Sequence, residues 1–395
     1  MILMYNQLAY ELGAAPSCIR DLAAYGDQRA NIVGKENVFD FSIGNPSIPA
    51  PKEVNDTVRQ LLDTMDSLEI HGYTPAVGSY ATRQAIAEDL NRRYTANVTP
   101  EELFLGCGAA PELTAVLGAL CWPGSRVLVN APYFPEYKFY IEGAKAEFAV
   151  VPADIPHFQI RLDKLEEMLT PNTACIILNS PNNPAGTVCS RETLENLAAL
   201  LTRKGEEYGH PIYIISDEPY RELVYDGVEV PYVPAIYPNT IVCYSYSKSL
   251  SLPGERIGYI LVPKQAADSK EIYAAVCGAA RAQGHICAPT LWQHVIARCT
   301  HLRPNLEAYD QNRKALYEGL VSAGYEVAKP QGAFYLFVKA PGGNSKAFSK
   351  KAMGKDILLV PGDDFGCPEY FRLCYCVSHD TIVRSLPLFK QLIEE

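Results

Sequence analysis

From Leu103 onward, short apolar runs alternate with amphipathic helical segments, and this alternation limits the possible folds more than any other feature of the chain. Strands that alternate with helices pair in parallel, because each helix carries the chain back across the sheet. The clearest crossover helix is predicted at 191–208, with Ser190 as its N-cap. We therefore predict an α/β fold with strands at 126–130, 147–151, 174–179, 212–216, 240–244 and 257–262.

Composition and charge exclude several classes of protein. The 395 residues can bury a large core, and they predict two subdomains. Acidic residues outnumber basic ones by 45 to 35, and the net charge of −10 disfavours a nucleic-acid partner. The twelve cysteines form no CxxC pair, which predicts buried thiols in a reducing compartment, the cytoplasm. The start has no basic region and no run of ~18 apolar residues occurs, so we expect neither export nor membrane insertion.

The chain before the alternation supplies a short strand, two helices and two loops of interest. We predict the strand at 38–42 and amphipathic helices at 52–65 and 78–94. Gly44 lies in a Gly-Asn-Pro break, where a glycine lets the backbone approach a ligand, although a plain turn explains the same residues. Tyr73 lies in the loop between the two helices, where simple packing is the alternative to a functional role.

A lysine among serines lies at the end of a predicted strand. Lys248 follows the apolar run 240–244 with Ser245 and Ser247 before it, and Arg256 comes after a Pro-Gly turn. A lysine held partly away from water has a lowered pKa and forms Schiff bases with carbonyls. The hydroxyls and the guanidinium group suit a phosphate. An aldehyde that carries a phosphate would supply both the carbonyl for the lysine and the phosphate for the hydroxyls and the guanidinium group, which indicates pyridoxal phosphate. The alternative is a serine-rich loop that contains a lysine by chance.

A glycine-rich segment at 106–112 lies between a predicted strand and a helix. Its first glycines imitate a dinucleotide-binding fingerprint, but Pro111 stands in place of the third and no acidic residue ends the next strand. We therefore reject a nicotinamide cofactor and retain a phosphate site, because backbone N–H groups at a helix N-terminus attract anions. Neither a Walker-type phosphate loop nor an HExxH zinc pattern occurs, and no metal is predicted.

Two more polar clusters follow predicted strands, at the edge of a parallel sheet where ligands bind. Asn183 lies in a rigid Asn-Pro turn and can donate to a phenolic or carboxylate oxygen, although such a turn is often only a turn. Asp217 follows an apolar Tyr-Ile-Ile run, and a buried carboxylate needs a cationic partner. The protonated ring nitrogen of pyridoxal phosphate is such a partner, and a helix cap is the alternative.

Together these residues resemble the aspartate aminotransferase family of fold type I, class I/II aminotransferases that use pyridoxal phosphate, and the resemblance covers nearly the whole chain. It implies that Lys248 forms the Schiff base and that Asp217 pairs with the ring nitrogen. Tyr220 and Asn183 would contact the ring hydroxyl, and Phe134 would stack on the ring. The groups implied to hold the phosphate are Gly108, Ala109, Ala110, Ser245, Ser247 and Arg256, with Tyr73 from a neighbouring subunit.

The resemblance also implies the substrate contacts. Arg372 matches the arginine that binds the substrate α-carboxylate, helped by Gly44 and Asn183. Ala109 and Ala110 replace hydroxyl or lysine side chains that the family often has there, which removes one known way of recognising an acidic substrate.

An acidic substrate would therefore need another cation. Arg281 lies 33 residues beyond Lys248, close to the separation at which one branch of the family places the arginine for the distal carboxylate, from the neighbouring subunit. A guanidinium group suits bidentate capture of a carboxylate. A structural ion pair on a helix is the alternative for Arg281, and Arg20 is a second candidate.

The family fold implies a large domain, whose mostly parallel sheet is flanked by helices, and a smaller α+β domain built from both termini. A homodimer with shared active sites is also implied. In the C-terminal part, we expect a helix at 305–322 and strands at 332–338, 357–361 and 371–376. The predicted division is 1–45 for an N-terminal arm and part of the small domain, 46–303 for the large cofactor-binding domain, and 304–395 for the small C-terminal domain.

The implied function is ping-pong transfer of an amino group between an L-amino acid and a 2-oxo acid, with aspartate and 2-oxoglutarate as the first expectation. Aminotransferases for aromatic or alanine-type substrates, and pyridoxal phosphate β-lyases or decarboxylases, would share every cofactor residue. A ligand-sensing domain of a regulator would need a DNA-binding segment, but the arm before Phe39 is too short and lacks a basic helix-turn-helix pattern.

Overall fold

The computed structural model describes residues 4–15 and 18–394. Residues 1–3, 16, 17 and 395, which belong to the predicted terminal segments, lie outside the described residues. The helices are α1 (Gln7–Ala14), α2 (Cys18–Val33), α3 (Lys52–Thr64), α4 (Ser67–His71), α5 (Tyr80–Tyr94), α6 (Ala109–Leu120), α7 (Glu136–Gly143), α8 (Leu162–Met168), α9 (Arg191–Tyr208), α10 (Val233–Ile236), α11 (Tyr246–Ser249), α12 (Ser269–Ala282), α13 (Thr290–Cys299), α14 (Leu306–Ser322), α15 (Ser345–Met353) and α16 (His379–Glu394). The strands are β1 (Phe39–Asp40), β2 (Leu103–Gly106), β3 (Arg126–Asn130), β4 (Glu147–Val151), β5 (Thr173–Asn179), β6 (Tyr213–Asp217), β7 (Thr240–Ser245), β8 (Gly258–Leu261), β9 (Tyr335–Lys339), β10 (Ile357–Leu358), β11 (Val360–Pro361) and β12 (Tyr370–Cys374).

Seven strands form the large sheet in the order β2-β8-β7-β6-β5-β3-β4. The predicted strands are all present, and the crossover helix α9 has the predicted bounds, with the Ser190 hydroxyl accepting from the Thr193 N–H at 3.0 Å. One strand departs from the parallel pattern: β8 runs antiparallel to β7 and β2. The short connection between β7 and β8 holds only the single turn α11 and a 3₁₀ turn, which is too little for a parallel crossover.

The sheet is buried on both faces because successive side chains of a strand point to opposite sides. In β3, Val127 and Val129 pack against α6, α7 and α12, whereas Leu128 packs against α8 and α9 on the other face. The strands β5, β6 and β7 are buried along their whole length. Polar side chains are therefore concentrated where these strands end.

The C-terminal part forms a second, smaller α+β unit. The strands β9, β12 and β11 make an antiparallel sheet, and the N-terminal β1 pairs in parallel with β10. The helices α14 and α16 pack against this unit around a core that includes Tyr309, Phe371 and Phe389. The predicted strand 357–361 is divided, because β10 and β11 pair with different partners. The domain limits at 45/46 and 303/304 remain a prediction.

None of the helices in the described ranges is long and apolar enough to cross a lipid bilayer.

Candidate active site

A cavity of about 340 Å³ lies where β5, β6 and β7 end, at the carboxyl edge of the sheet. The structure brings together there most of the residues predicted from the sequence. Those that line the cavity are Gly44, Ala109, Ala110, Phe134, Asn183, Asp217, Tyr220, Ser245, Ser247, Lys248, Arg256 and Arg372. Sequence analysis assigns no role to the seven other residues that line the cavity, which are Ile19, Leu113, Tyr140, Asn179, Pro219, Pro253 and Tyr335.

Lys248 projects into the cavity from α11, the single turn that follows β7. Its amine donates to the carbonyl oxygen of Gly44 at 2.7 Å and lies 5.6 Å from the ring centre of Phe334. Burial lowers the pKa of Lys248, because the charged form loses hydration. The lysine therefore carries a neutral, nucleophilic amine at lower pH than an exposed lysine does.

Asp217 is the last residue of β6 and is fully enclosed. The Tyr137 hydroxyl donates to its Oδ2 at 2.5 Å and the Asn179 amide lies 3.4 Å from the same oxygen, whereas its Oδ1 has no partner among the residues of the structure. Burial raises the pKa of Asp217 to about 7, and the hydrogen bond from Tyr137 opposes this rise. No cation of the described chain pairs with Asp217, so its free oxygen is suited to a cationic ligand group.

An anion site lies on the other side of the cavity, at the start of α6. Gly108 caps this helix at a φ of +90°, and a Cβ there would lie 2.8 Å from Nη2 of Arg256, so this close approach requires a glycine. The hydroxyls of Ser245 and Ser247 are 2.6 Å apart. Hydroxyls, a guanidinium group and a helix N-terminus together suit a phosphate.

Arg372 lies on β12 and is only 2% exposed. Its Nη1 donates to the Asn183 side-chain oxygen at 3.0 Å and its Nη2 to the Ser42 carbonyl at 2.5 Å, but its Nε has no partner. The rings of Tyr335 and Phe365 cover the guanidinium group at 4.7 and 5.2 Å. A buried cation without a carboxylate among the described residues is prepared for a carboxylate ligand.

Aromatic side chains complete the cavity walls. Phe134 lies edge-on to Tyr137, with 5.6 Å between ring centres. The hydroxyl of Tyr220 is 3.0 Å from that of Tyr335. No sequence pattern points to Tyr335, and for Tyr137 the one signal is its position one helical turn after Phe134.

Three predicted residues lie outside this cavity in the single chain. Tyr73 is 87% exposed. Arg281 is exposed in the last turn of α12, and its side chain makes no hydrogen bond or ion pair with any described residue, so the structural ion pair is not observed there. Arg20, on α2, lies 3.7 Å from Glu136 beside a neighbouring cavity.

A strand-end lysine, a buried carboxylate and an anion site around one cavity define a pyridoxal phosphate enzyme of the α/β type.

The family model for aminotransferase class I and II matches residues 36–386. A solved aminotransferase structure from Eubacterium rectale is 52% identical, covers 100% of this chain and 99% of that chain, and superimposes with a TM-score of 0.98. A probable N-acetyl-LL-diaminopimelate aminotransferase from Bacillus subtilis is 30% identical over 90% of each chain. An aspartate aminotransferase from Thermotoga maritima is 29% identical over 91% of this chain and 92% of that one.

The chain belongs to the class I and II aminotransferases. It is a pyridoxal phosphate-dependent aminotransferase.

The residues present fit this cofactor on three observations. The unpartnered Oδ1 of Asp217 provides an anion for the ring nitrogen. The start of α6 with Arg256 provides a site for the phosphate, and Lys248 lines the same cavity.

The buried carboxyl of Asp217 makes the stability of the cofactor-free protein depend on pH. The pKa of Asp217 rises from 3.8 to about 7 on folding, so between these values the folded chain holds a proton that the unfolded chain has released. The free energy of unfolding therefore contains a contribution that is fully present below pH 3.8 and is lost as the pH rises through about 7. We expect a loss of about 2–4 kcal/mol.

Denaturant unfolding of cofactor-free wild type and Asp217→Asn at several pH values measures this contribution. The amide does not titrate, so the variant should gain stability relative to wild type as pH rises. Parallel pH profiles for the two proteins would contradict the assignment.

Proposed function

We propose that this aminotransferase exchanges the amino group between aspartate and 2-oxoglutarate, and that it does so as a cytoplasmic homodimer. The substrate assignment rests on two arginines, neither of which has an acidic partner among the described residues. Arg372 is buried in the cavity, and Arg281 is exposed outside it. A dicarboxylate needs one cation at each end. Twelve free cysteines support a reducing compartment.

Each residue of the cavity has a physical role in this reaction. Bound pyridoxal phosphate supplies an electron-accepting ring. Asp217 keeps the ring nitrogen protonated, because its buried carboxylate needs a positive partner. Arg372 binds and orients the α-carboxylate of the substrate. Lys248, with its pKa lowered by burial, takes up and moves the proton that leaves the substrate α-carbon, as a general base and acid.

Tyr220 and Asn183 would hold the ring hydroxyl, and Phe134 would cover the ring face. Asn183 uses its side-chain oxygen for Arg372, which leaves its amide nitrogen as a donor. One residue thus couples the site of the ring to the site of the α-carboxylate. Because the first 2-oxo acid leaves before the second one enters, we expect ping-pong kinetics.

The homodimer is supported by an exposed surface around Tyr73 and Arg281. The Thr290 hydroxyl donates to the Gly72 carbonyl at 2.7 Å, and the His285 ring lies 3.2 Å from the Ala76 carbonyl. These contacts hold the loop of Tyr73 against the segment that follows α12. Exposed apolar side chains in the neighbouring sequence are Leu68, Tyr80 and Ile286. A second copy of the chain would cover them and bring Tyr73 and Arg281 to a cavity.

Arg281→Ala tests the acidic substrate. We expect a loss of ~2–4 kcal/mol of transition-state binding toward aspartate and 2-oxoglutarate, because a charge pair with the distal carboxylate is lost. Apolar amino acids should retain their kcat/KM. Steady-state kinetics with aspartate, alanine and an aromatic donor measure the difference.

Lys270→Ala is the matched control, because Lys270 is an exposed cation near the other end of α12. Equal losses for acidic and apolar donors in Arg281→Ala would remove the basis for an acidic substrate. Sedimentation of each variant shows whether the dimer has been lost instead.

An aminotransferase for aromatic or alanine-type donors is the second candidate. The described cavity contains only three cations, Lys248, Arg256 and Arg372, and each already has a role in the scheme. The remaining wall includes Ile19 and Tyr140, which suit an uncharged side chain. A screen of amino acids against 2-oxoglutarate separates the two candidates directly.

A further inference from the structure

Tyr335 brings a second phenol hydroxyl into the cavity beside Tyr220. It is the first residue of β9 and is only 2% exposed. Its hydroxyl lies 3.0 Å from that of Tyr220, although the two residues are 115 positions apart in the chain. Within residues 4–15 and 18–394, neither hydroxyl makes another hydrogen bond. The two groups therefore form an isolated pair at the wall of the site.

The position of the Tyr335 hydroxyl is fixed from several sides. A Cβ on Gly44 would collide with this hydroxyl and would lie 3.1 Å from the ring atom that carries it. The guanidinium group of Arg372 lies over the same ring, 4.7 Å from its centre. The ring of Tyr220 stands edge-on, with 5.8 Å between centres. The phenol thus has no room to turn away from Tyr220.

The count of hydrogen atoms shows what this pair offers to a ligand. Each phenol carries one hydrogen, and burial raises the pKa of both, so both remain protonated at neutral pH. One hydrogen is used between the two oxygens, and the other is left for a different acceptor. The pair can therefore donate one hydrogen bond into the cavity.

The surrounding charges decide which phenol donates to the other. Arg372 lowers the pKa of both phenols, but it is the ring of Tyr335 on which its guanidinium group stacks, and the carboxyl of Asp217 opposes its effect on Tyr220. The thiol of Cys374 raises the pKa of both phenols, and the thiol of Cys376 raises the pKa of Tyr335. The stacked cation makes Tyr335 the better donor, and Tyr220 becomes the acceptor.

We propose that Tyr335 is a positioning residue that donates to Tyr220 and thereby directs the hydrogen of Tyr220 to the ring hydroxyl of the bound cofactor. This inference rests on the proposed role of Tyr220. In a chain of hydrogen bonds each donor strengthens the next, so Tyr335 strengthens the bond that Tyr220 donates. Negative charge on the ring oxygen of a bound cofactor would then be better stabilised, and the visible absorbance of the holoenzyme would change at lower pH.

The test is a pH titration of the visible absorbance of the holoenzyme without substrate. In Tyr335→Phe, whose ring still covers Arg372, we expect the midpoint to rise by about half a pH unit. In Tyr220→Phe we expect a rise of about 1–2 pH units, because a hydrogen bond to a charged oxygen is lost. Tyr335→Phe should add nothing in a Tyr220→Phe background, because its effect passes through Tyr220.

Tyr225→Phe is the matched control, because Tyr225 is equally buried but donates to the Ala333 carbonyl at 2.7 Å, outside the cavity. Its midpoint should equal that of wild type. An unmoved midpoint in Tyr335→Phe, or an equal rise with and without Tyr220, overturns the inference and leaves the role of Tyr220 standing. An unmoved midpoint in Tyr220→Phe instead removes the role of Tyr220, and this inference with it.

Discussion

Replacement of Lys248 by alanine is expected to abolish the visible absorbance of the bound cofactor and to lower transamination by at least about 10⁴-fold. Lys248 is the only lysine that lines the described cavity, and its amine is the group that can both bind an aldehyde and move a proton there. The fold should be retained, because this side chain is held by one hydrogen bond and its charge is costly to bury.

Absorbance spectra, turnover and circular dichroism of the variant measure these three properties together. Lys264→Ala is the control, because Lys264 is exposed, donates to the Asn97 carbonyl at 2.7 Å and does not line the cavity. Full turnover in Lys248→Ala would refute the assignment of the lysine. A loss of the folded signal in both lysine variants would instead point to a general effect on stability.

Asp217→Asn is expected to lower kcat by roughly 10²–10⁴-fold with a smaller change in KM, because the carboxylate stabilises charge that develops only as the reaction proceeds. The amide keeps the size of the side chain and can still accept from Tyr137. What it lacks is the negative charge that, in the proposed reaction, keeps the ring nitrogen protonated.

Tyr137→Phe provides a graded comparison with Asp217→Asn. The hydrogen bond from Tyr137 lowers the pKa of Asp217, so its loss should raise that pKa and weaken the carboxylate without removing it. We expect a loss of about tenfold, well short of that in Asp217→Asn. A change in KM alone for Asp217→Asn would make Asp217 a residue that only positions the substrate.

Asp217→Asn also separates stability from activity. The unpartnered oxygen of Asp217 is costly in the empty cavity, so the same substitution that lowers activity should stabilise the cofactor-free protein above neutral pH. The proposed function therefore requires a buried charge that no other described residue of the fold neutralises.

The part of this site that sequence reasoning predicted consists of residues that follow strands. Asp217 and Ser245 are the last residues of buried strands and Lys248 follows in the next turn, and parallel strands end at a common edge. Short apolar runs also predicted β3 and β4 with the bounds that the structure has. These strands could be predicted because the apolar pattern of a strand and the polar residues at its end are defined by a few neighbouring residues.

Other members of the site could not be found in this way. Arg372 was assigned by resemblance alone, and its stacking between Tyr335 and Phe365 depends on the packing of β9 and β12. Tyr335 has no local signal, because what matters is a hydroxyl that lies 115 residues away in the chain. The need for glycine at position 44 follows from the same hydroxyl.

The sequence by itself determined the α/β class, the strands and the polar residues at their ends, because strand length, periodicity and caps are properties of neighbouring residues. Only the tertiary structure decided that β8 reverses direction, that Asp217 keeps an oxygen without a partner, and that Tyr335 meets Tyr220. Such features arise when distant segments pack together, and the free energy of a buried charge or hydroxyl depends on every group that surrounds it.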